Sequence, residues 1–488
     1  MELPSAHSQP PPGPPIPDSQ SLAEELSAPR VAAGALGPSP GSGLLSAEVK
    51  RRHILPKALV IGLVAGCIAS GFRAALQYLE LSRIGWIERL KPMHPLEALI
   101  FSMGVCAAGS AVGLWLVRRL APETAGSGIP HLKAVVLGER PLNWRRVLPV
   151  KFFAGLSGIG GGLALGREGP TIQMGGATGL MVAGWFRVTP GEGERKALVG
   201  AGAGAGLAAA FNAPLAGMVF VLEELQGGFT PVVFVAAFLA SVTADVVCRV
   251  LTGETPVFAL RSMPAPTLVE LPVALVLGVA AGFGGVAFNK CLLGSLDLFA
   301  RLKRWPVLTV GALAGAAVGL AAWLYPGVSG SGAGLAERAL DGQIAMGWIL
   351  VLALARFALT MVSYGSGAAG GIFAPLLVIG ALVGLAIGTL AHEIAPGLAP
   401  HPAIFAVLGM GALLTSIVRA PLTGIVLMIE LTGKYDFMLP LLASCFVAYG
   451  VAEALGDHPI YEALRKRAAA GQDLAGHPSA KDAAAVAS

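Results

Sequence analysis

A glutamate inside an otherwise apolar segment is the first residue of this chain to which chemistry can be assigned. In the stretch GGGLALGREGPTIQMGGATGL, residues 160–180, Arg167 and Glu168 are the only charges among glycines and aliphatic residues. A charge near the middle of a bilayer costs roughly 2.5 to 3.5 kcal/mol on insertion scales, so such residues usually face a path lined by protein. Adjacent helical residues do not face each other, which argues against a simple pair with Arg167. We therefore expect Glu168 to act in transport or gating.

Three motifs that combine glycine with proline point to an anion site. They are GSGIP, which contains Ser127, GREGP, which ends at Pro170, and GIFAP, which ends at Pro375. Glycine frees the backbone, and proline fits the first turn of a helix, where its missing amide hydrogen is not needed. The exposed amides and positive dipole end of such a helix attract anions, and the Ser127 hydroxyl adds a donor. A site built from partial charges also allows rapid release.

The elements that must position these residues are membrane helices. The 488-residue chain is 55% hydrophobic and 13% charged, with a mean hydropathy of +0.71, whereas a soluble domain carries about 25% charged residues. Uncharged runs of at least ~20 residues, enough to cross the hydrocarbon layer, cover 98–117, 199–222, 305–336 and 357–391. Further candidate spans lie near 54–72, 230–247, 271–289 and 437–452. We expect roughly ten to twelve crossings or partial crossings, all helical, because lipid offers the backbone no hydrogen-bond partners.

The ends of the chain differ from its centre. Residues 1–45 are rich in Pro, Ser and Gly and predict a disordered tail, and residues 469–488 predict a short flexible tail. Basic clusters at 50–52 and 465–467 flank the apolar region, which predicts that both termini are cytoplasmic. The net charge of +5 needs no nucleic-acid partner, and the five scattered cysteines indicate neither a disulfide nor a metal site. No cofactor is expected.

An internal repeat organises the region between the tails. The segment APLAGMVFVLEE, which begins at Ala213, matches APLTGIVLMIE, which begins at Ala420. From Ser127 the landmark prolines follow after 43 and then 44 residues, and from Ser331 after 44 and then 46. Repeated halves with interrupted helices are typical of transporters. We therefore predict one transmembrane domain, residues 46–468, with halves at about 54–250 and 268–456. The repeat alone leaves open whether the halves are inverted.

Together these motifs resemble the signature set of the CLC chloride channel and transporter family. GSGIP at 126–130, GREGP at 166–170, GIFAP at 371–375 and the tyrosine of GDHPIY at Tyr461 occur in the family's order. The resemblance covers about residues 50–468. It implies an all-α polytopic membrane protein with an inverted repeat and broken, partly spanning helices. It also implies a homodimer with one pore in each subunit, surrounded by lipid.

The resemblance further assigns an anion site. Ser127 and Tyr461 would donate hydroxyls to a central chloride, and the backbone amides of Ile372 and Phe373 would approach it from the second half. Sequence physics alone would make Tyr461 an ordinary interfacial tyrosine and Phe373 a core residue. Serine in GSGIP resembles the chloride-preferring members of the family.

Two glutamates would carry the protons. Glu168 resembles the gating glutamate, which transfers protons on the extracellular side, and Glu224 matches the intracellular-side proton-transfer glutamate of the family's exchangers. Channel members generally lack a carboxylate at that position, so we expect coupled chloride/proton antiport. From the residues alone, Glu224 could instead be an interfacial charge. Glu223 and Glu430, which are equivalent in the repeat, are expected to act as caps or in ion pairs.

Some features leave alternatives open. His131 follows GSGIP where a glutamate is common in the family, and Lys133 comes two residues later where members differ in charge. Both are expected to alter the field at the inner mouth of the pore, and with it the rate and the pH response. A passive voltage- or pH-gated chloride channel would use the same pore, and a remote alternative is an intramembrane serine hydrolase that uses the glycine-flanked Ser329. The paired regulatory nucleotide-binding (CBS) domains of many relatives are not seen, so we expect no nucleotide control. A prokaryotic plasma membrane is the expected location.

Overall fold

The protein is described by a computed structural model that covers residues 40–189, 193–253, 258 and 263–471. The regular structure of these residues is helical, and their strand-like pairing is limited to two isolated bridges. Residues from Lys50 onward belong to one compact unit. Residues 1–39 and 472–488 of the predicted tails lie outside the described residues, and residues 40–45 begin the first helix.

Two sets of eight helices follow one another along the chain, and a final helix completes the described part. The first set is α1 (Pro40–Leu90), α2 (Pro95–Leu120), α3 (Ile129–Leu137), α4 (Trp144–Gly160), α5 (Glu168–Trp185), α6 (Gly193–Phe211), α7 (Pro214–Phe220) and α8 (Pro231–Thr252). The second set is α9 (Leu271–Arg301), α10 (Val307–Leu324), α11 (Ala333–Leu340), α12 (Met346–Gly365), α13 (Phe373–Ile394), α14 (Ile404–Val418), α15 (Pro421–Thr432) and α16 (Met438–Ala454). The final helix is α17 (Ile460–Ala469).

The helices have the length and composition of a multi-pass integral membrane protein. Among the described residues, eight helical segments are long and apolar enough to cross a bilayer, and two shorter apolar helices, α14 and α15, accompany them. The eight segments are His53–Leu90, Pro95–Leu120, Pro231–Thr252, Leu268–Arg301, Val307–Leu324, Met346–Gly365, Phe373–Ile394 and Tyr435–Ala454. The all-helical polytopic class predicted from composition is confirmed.

Several long apolar runs of the sequence are broken into pairs of helices. The run 199–222 contains the end of α6 and all of α7, which are separated at Asn212, a residue with a left-handed φ of 54°. The equivalent break between α14 and α15 lies at Arg419, with a φ of 66°. In both places a proline begins the next helix, where its missing amide hydrogen has no cost. Broken helices expose backbone groups within the membrane region, which is tolerated where protein surrounds them.

The two halves of the repeat run in opposite directions. Helices α7 and α15 lie against each other so that the start of each one meets the end of the other. The Glu430 carboxylate accepts a hydrogen bond from the Ala216 amide at 2.8 Å, and the Glu223 carboxylate accepts one from the Thr423 amide at 2.8 Å. An antiparallel pair of equivalent helices is what an inverted repeat requires, and both glutamates act as caps, as predicted.

Small residues allow the central helices of each half to pack closely. A Cβ atom added at Gly175 of α5 would lie 2.1 Å from the Gly202 carbonyl oxygen of α6. In the second half, a Cβ at Gly380 of α13 would lie 2.5 Å from the Gly409 carbonyl oxygen of α14. Inside a bilayer the hydrophobic effect does not drive helices together, so they associate through close van der Waals packing of this kind. The packing fixes the positions of α5 and α13, whose first residues form the site.

Candidate anion and proton site

Backbone pairing between the two halves brings the predicted motifs together. The Gly126 amide donates to the Ala368 carbonyl at 3.1 Å, and the Gly370 amide donates to the Gly126 carbonyl at 3.0 Å. Gly166 and Gly371 exchange two hydrogen bonds, both of 2.7 Å. The GSGIP and GREGP loops of the first half are therefore joined directly to the GIFAP loop of the second half.

The contact between these loops requires glycine at its centre. A Cβ atom added at Gly169 would lie 2.8 Å from the Ser127 carbonyl oxygen and 2.9 Å from the Gly371 Cα atom. Real Cβ atoms essentially never come this close to backbone atoms, so any side chain here would push the loops apart. Gly169 thus sets the distance between Ser127 and the start of α13.

Ser127 lies in a fully buried loop that a lysine supports. The Ser127 hydroxyl oxygen accepts the Ile129 amide at 3.3 Å, and Ser127 itself has no solvent exposure. Beneath the loop, the buried Lys151 ammonium donates to the carbonyls of Thr124 and Gly126 at 2.8 and 2.7 Å. Because the Lys151 ammonium donates to these backbone carbonyls, it supports the conformation of the loop. The loop in turn positions the Ser127 hydroxyl.

Glu168 extends across the amide end of α13. Its carboxylate accepts a hydrogen bond from the Ala374 amide at 3.4 Å, and only 2% of the residue is exposed. Ala374 directly follows Ile372 and Phe373, whose amides were predicted to face an anion. The carboxylate therefore lies where the first turn of a helix offers amide hydrogens to negative charge.

Tyr461 lies on Phe373 and carries an unpartnered hydroxyl. The two rings are stacked, with centroids 6.2 Å apart and an interplanar angle of 15°. Tyr461 is fully buried, and no described residue forms a hydrogen bond with its hydroxyl group. Buried polar groups nearly always have a partner, so this hydroxyl is a candidate ligand for a bound ion or water.

Glu224 forms a buried ion pair with Lys133. It lies in a π-helical segment, Val221–Gln226, that continues α7, and it is 4% exposed. The Lys133 ammonium of α3 donates to its carboxylate at 2.8 Å and lies 3.9 Å from the Glu462 carboxylate of α17. Glu224 is therefore held in a buried ion pair and does not project into solvent. The residue predicted to modify the inner mouth therefore contacts Glu224 directly.

Whereas Lys133 binds the Glu224 carboxylate, the His131 side chain contacts Pro141 and Gln173. Its ring nitrogens lie 3.3 Å from the Pro141 carbonyl oxygen and 3.3 Å from the Gln173 side-chain nitrogen. These contacts fix the ring between α3 and α5.

Two residues that contact the Ser127 loop were not singled out from the sequence. Lys151 is an isolated charge in an apolar stretch, the same signal that identified Glu168, so it could have been found. Tyr364 interacts with Ser127, and a Cβ added at Gly126 would lie 2.9 Å from its hydroxyl. Nothing in its local sequence distinguishes Tyr364 from any other aromatic residue of a membrane helix.

The Ser329 loop does not present a nucleophile. The Ser329 hydroxyl donates to the Pro326 carbonyl at 2.9 Å and accepts from the Arg83 guanidinium at 3.0 Å. Both contacts fix the loop, and no described histidine bonds the hydroxyl as a base would.

Known proteins resemble this chain in sequence and in fold. Residues 103–453 match the family described as voltage gated chloride channel. The chain is 41% identical over 436 residues to the H(+)/Cl(-) exchange transporter ClcA of Vibrio cholerae, covering 88% of this chain and 92% of that protein. A crystal structure of a slow cyanobacterial Cl-/H+ antiporter is similar, with a TM-score of 0.81 and 38% identity, covering 85% of this chain and 97% of the other. A eukaryotic CLC transporter shares the fold, with a TM-score of 0.72 and 21% identity over 86% of this chain and 74% of the other.

Proposed function

Because this chain belongs to the voltage-gated chloride channel family, we propose that it is a secondary active antiporter that exchanges chloride for protons across a membrane. The relatives named as H(+)/Cl(-) exchangers support this assignment. They are transporters, and we assign no enzymatic reaction to the protein.

The observation that carries the proposal is the position of the Glu168 carboxylate on the amide end of α13. A carboxylate is itself an anion, so when it is charged it competes with chloride for the same amides. When it is protonated it loses that attraction and can leave the position. One group can therefore block the anion path and carry a proton, which links the two movements.

The central chloride would lie between the two halves. Ser127 and Tyr461 would donate hydroxyl hydrogens, and the amides of Ile372 and Phe373 would supply the rest of the field. The unpartnered Tyr461 hydroxyl supports this role, because a ligand would satisfy it. Because none of these proposed ligands is an arginine or lysine side chain, chloride is bound weakly enough to be released.

Glu224 would receive protons on the intracellular side. Its carboxylate pairs with Lys133 at 2.8 Å, whereas the Glu168 carboxylate lies on the Ala374 amide of α13. Protons would thus travel partly apart from chloride, which enters past Ser127. A passive channel would use the same anion site but would move no protons through Glu224.

We also propose a homodimer with one pore in each subunit, located in a prokaryotic plasma membrane with both termini in the cytoplasm. The proposal rests on the family resemblance and on the basic clusters that flank the membrane region. Leu215 and Leu422, at the starts of α7 and α15, occupy equivalent positions in the repeat and are 46% and 52% exposed. Such paired apolar positions suit a two-fold symmetric contact.

The test is transport by the purified protein in liposomes. A chloride gradient is imposed while external pH and chloride are recorded together, for the parent and for Glu168→Gln, Glu224→Gln and Glu223→Gln. We expect uphill proton movement in the parent. Glu168→Gln and Glu224→Gln should abolish it, and chloride flux should persist in Glu224→Gln. Glu223→Gln is the matched control, since this adjacent carboxylate caps α15, and it should keep coupling.

Other outcomes would revise the proposal. Chloride flux without proton movement in the parent would make the protein a channel. Absence of any anion flux would overturn the transport function itself. Loss of coupling in all three variants would assign the Glu224 effect to damage at the end of α7.

A further inference from the structure

The second half contains a loop with the same backbone form as the Ser127 loop. In the first half, Gly128 precedes α3 with φ 80° and ψ −9°. In the second half, Gly332 precedes α11 with φ 76° and ψ 14°. Each glycine follows a serine, Ser127 or Ser331, so the two hydroxyls occupy equivalent positions in the inverted repeat.

A buried cation supports each loop in the same way. Lys151 donates to two carbonyls of the Ser127 loop at 2.8 and 2.7 Å. Arg356, which is fully buried in α12, donates to the Val328 and Ser331 carbonyls, both at 2.8 Å. The second loop therefore has the support of the first one, with a guanidinium in place of an ammonium.

The second loop already holds a carboxylate. The Ser331 amide donates to one Glu80 carboxylate oxygen at 2.5 Å, and the Ser331 hydroxyl donates to the other at 3.0 Å. Glu80 comes from α1, and a Cβ atom added at Gly330 would lie 2.2 Å from one of its oxygens. An amide and a hydroxyl that converge on a carboxylate form an anion-binding arrangement with an anion supplied by the chain.

Two buried arginines beside this loop carry nitrogen atoms for which the described residues provide no hydrogen-bond partner. Arg83 is 3% exposed, and it donates one nitrogen to the Ser329 hydroxyl at 3.0 Å. Its Nε and Nη2 atoms are buried without a hydrogen-bond partner in the described residues, as is Nε of Arg356. Nη2 of Arg83 faces the loop, since it would lie 3.3 Å from a Cβ at Gly330. Buried charged donors without partners are costly, and an anion would satisfy them.

We propose that Arg83 and the Ser331 loop form a second anion site, which takes a small monovalent anion such as chloride or bromide in competition with the Glu80 carboxylate. Glu80 is partly exposed whereas Arg83 is buried, so an anion can enter where the carboxylate leaves. The Ser331 amide and hydroxyl together bind a single carboxylate group. The site therefore accepts a halide or an anion of about the size of formate. The analogy with chloride binding at Ser127 rests on the proposed function. The unpartnered Arg83 nitrogens are an independent observation.

The experiment is anomalous diffraction from crystals of the full chain in bromide, for the parent, Glu80→Ala and Glu80→Gln. We expect a bromide peak within hydrogen-bond distance of Ser331 in both variants, and the same peak at lower occupancy in the parent at high bromide. A second peak at Ser127 and Tyr461 serves as an internal reference. Removal of a tethered competitor should tighten bromide binding at the Ser331 site about tenfold.

A stability measurement in solution accompanies the diffraction. Formate should raise the melting temperature of Glu80→Ala more than that of the parent, because it replaces the missing carboxylate. Glu88→Ala, an exposed glutamate of the same helix, should respond like the parent.

The proposal would be overturned if none of the three crystals showed a bromide peak at Ser331. It would also be overturned if formate raised the melting temperatures of Glu80→Ala, Glu88→Ala and the parent equally. If Glu80→Ala does not fold, Glu80→Gln keeps the side-chain volume without the charge and decides the matter. A missing peak at Ser127 with a peak at Ser331 would instead contradict the proposed transport site.

Discussion

Glu223 and Glu430 cap each other's helices. The Glu430 carboxylate accepts the Leu215 and Ala216 amides at 3.0 and 2.8 Å, at the start of the helix that leads to Glu223. The Glu223 carboxylate accepts the Leu422 and Thr423 amides at 3.1 and 2.8 Å, at the start of the helix that contains Glu430. Because each side chain satisfies amides that the helix itself leaves free, this exchange joins the two halves at their symmetry axis.

Loss of one of these caps should reduce stability without stopping proton coupling. We expect Glu223→Gln and Glu430→Gln each to lower the free energy of unfolding by about 1 kcal/mol, because the neutral amide is a weaker acceptor for a helix start. Thermal unfolding in detergent measures the effect, with Glu88→Gln as an exposed control. Equal melting temperatures for all three variants would show that the caps contribute no stability.

Removal of the Tyr461 hydroxyl should weaken chloride binding and leave the fold intact. The hydroxyl has no hydrogen-bond partner among the described residues, so Tyr461→Phe breaks no internal bond and keeps the ring stacked on Phe373. We expect chloride affinity, measured by calorimetry, to fall about threefold to tenfold, the effect of one hydrogen bond. Unchanged affinity would show that the hydroxyl does not face the ion.

Lys133 should control proton transfer through Glu224. It donates the one side-chain hydrogen bond described for the Glu224 carboxylate, at 2.8 Å. In Lys133→Met we expect proton transport in liposomes to slow about tenfold or more, because a hydrogen bond to a charged group is worth about 1.5–3 kcal/mol, while chloride flux persists. Lys57→Met is a matched control, since Lys57 also pairs with a glutamate, Glu194. Equal proton rates in the two variants would remove Lys133 from the proton path.

Gly169 should tolerate no side chain. In Gly169→Ala the new methyl group would lie 2.8 Å from the Ser127 carbonyl oxygen, so the loops must separate or the protein must not fold. Gly184→Ala lies in the same helix, where an added Cβ meets nothing within 4 Å, and it should behave like the parent. Chloride binding and yield of folded protein measure the difference. Normal binding in Gly169→Ala would mean that the loops can move apart without loss of the site.

Acid should loosen the contacts of α17 near Tyr461. Hydrogen bonds from Arg465 hold the pKa of the Glu462 carboxyl below its usual value. A lowered pKa contributes stability above the unfolded value, about 4.3 for glutamate, and this stability disappears as the pH falls through the folded value. We expect Glu462→Gln to reduce the fall in melting temperature on acidification below about pH 4.3. An identical pH profile in Glu462→Gln and the parent would contradict this.

The sequence by itself determined the class of the protein and the residues at its centre. Low charge and long apolar runs required helices in a membrane, because no other secondary structure satisfies its own backbone there. The isolated charge pointed to Glu168, and the glycine–proline motifs pointed to the Ser127 loop and the helix breaks, because these features are local to the sequence. The roles of Phe373 and Tyr461 came only from the family resemblance.

Only the tertiary structure decided which residues meet. The antiparallel relation of the halves, the Lys133–Glu224 pair and the Glu80 carboxylate on the Ser331 loop join residues between 91 and 251 positions apart. Local sequence carries no signal for such contacts, since they arise from the packing of whole helices through close glycine contacts. The same packing places two buried arginines around a loop that the sequence presented as one more glycine-rich turn.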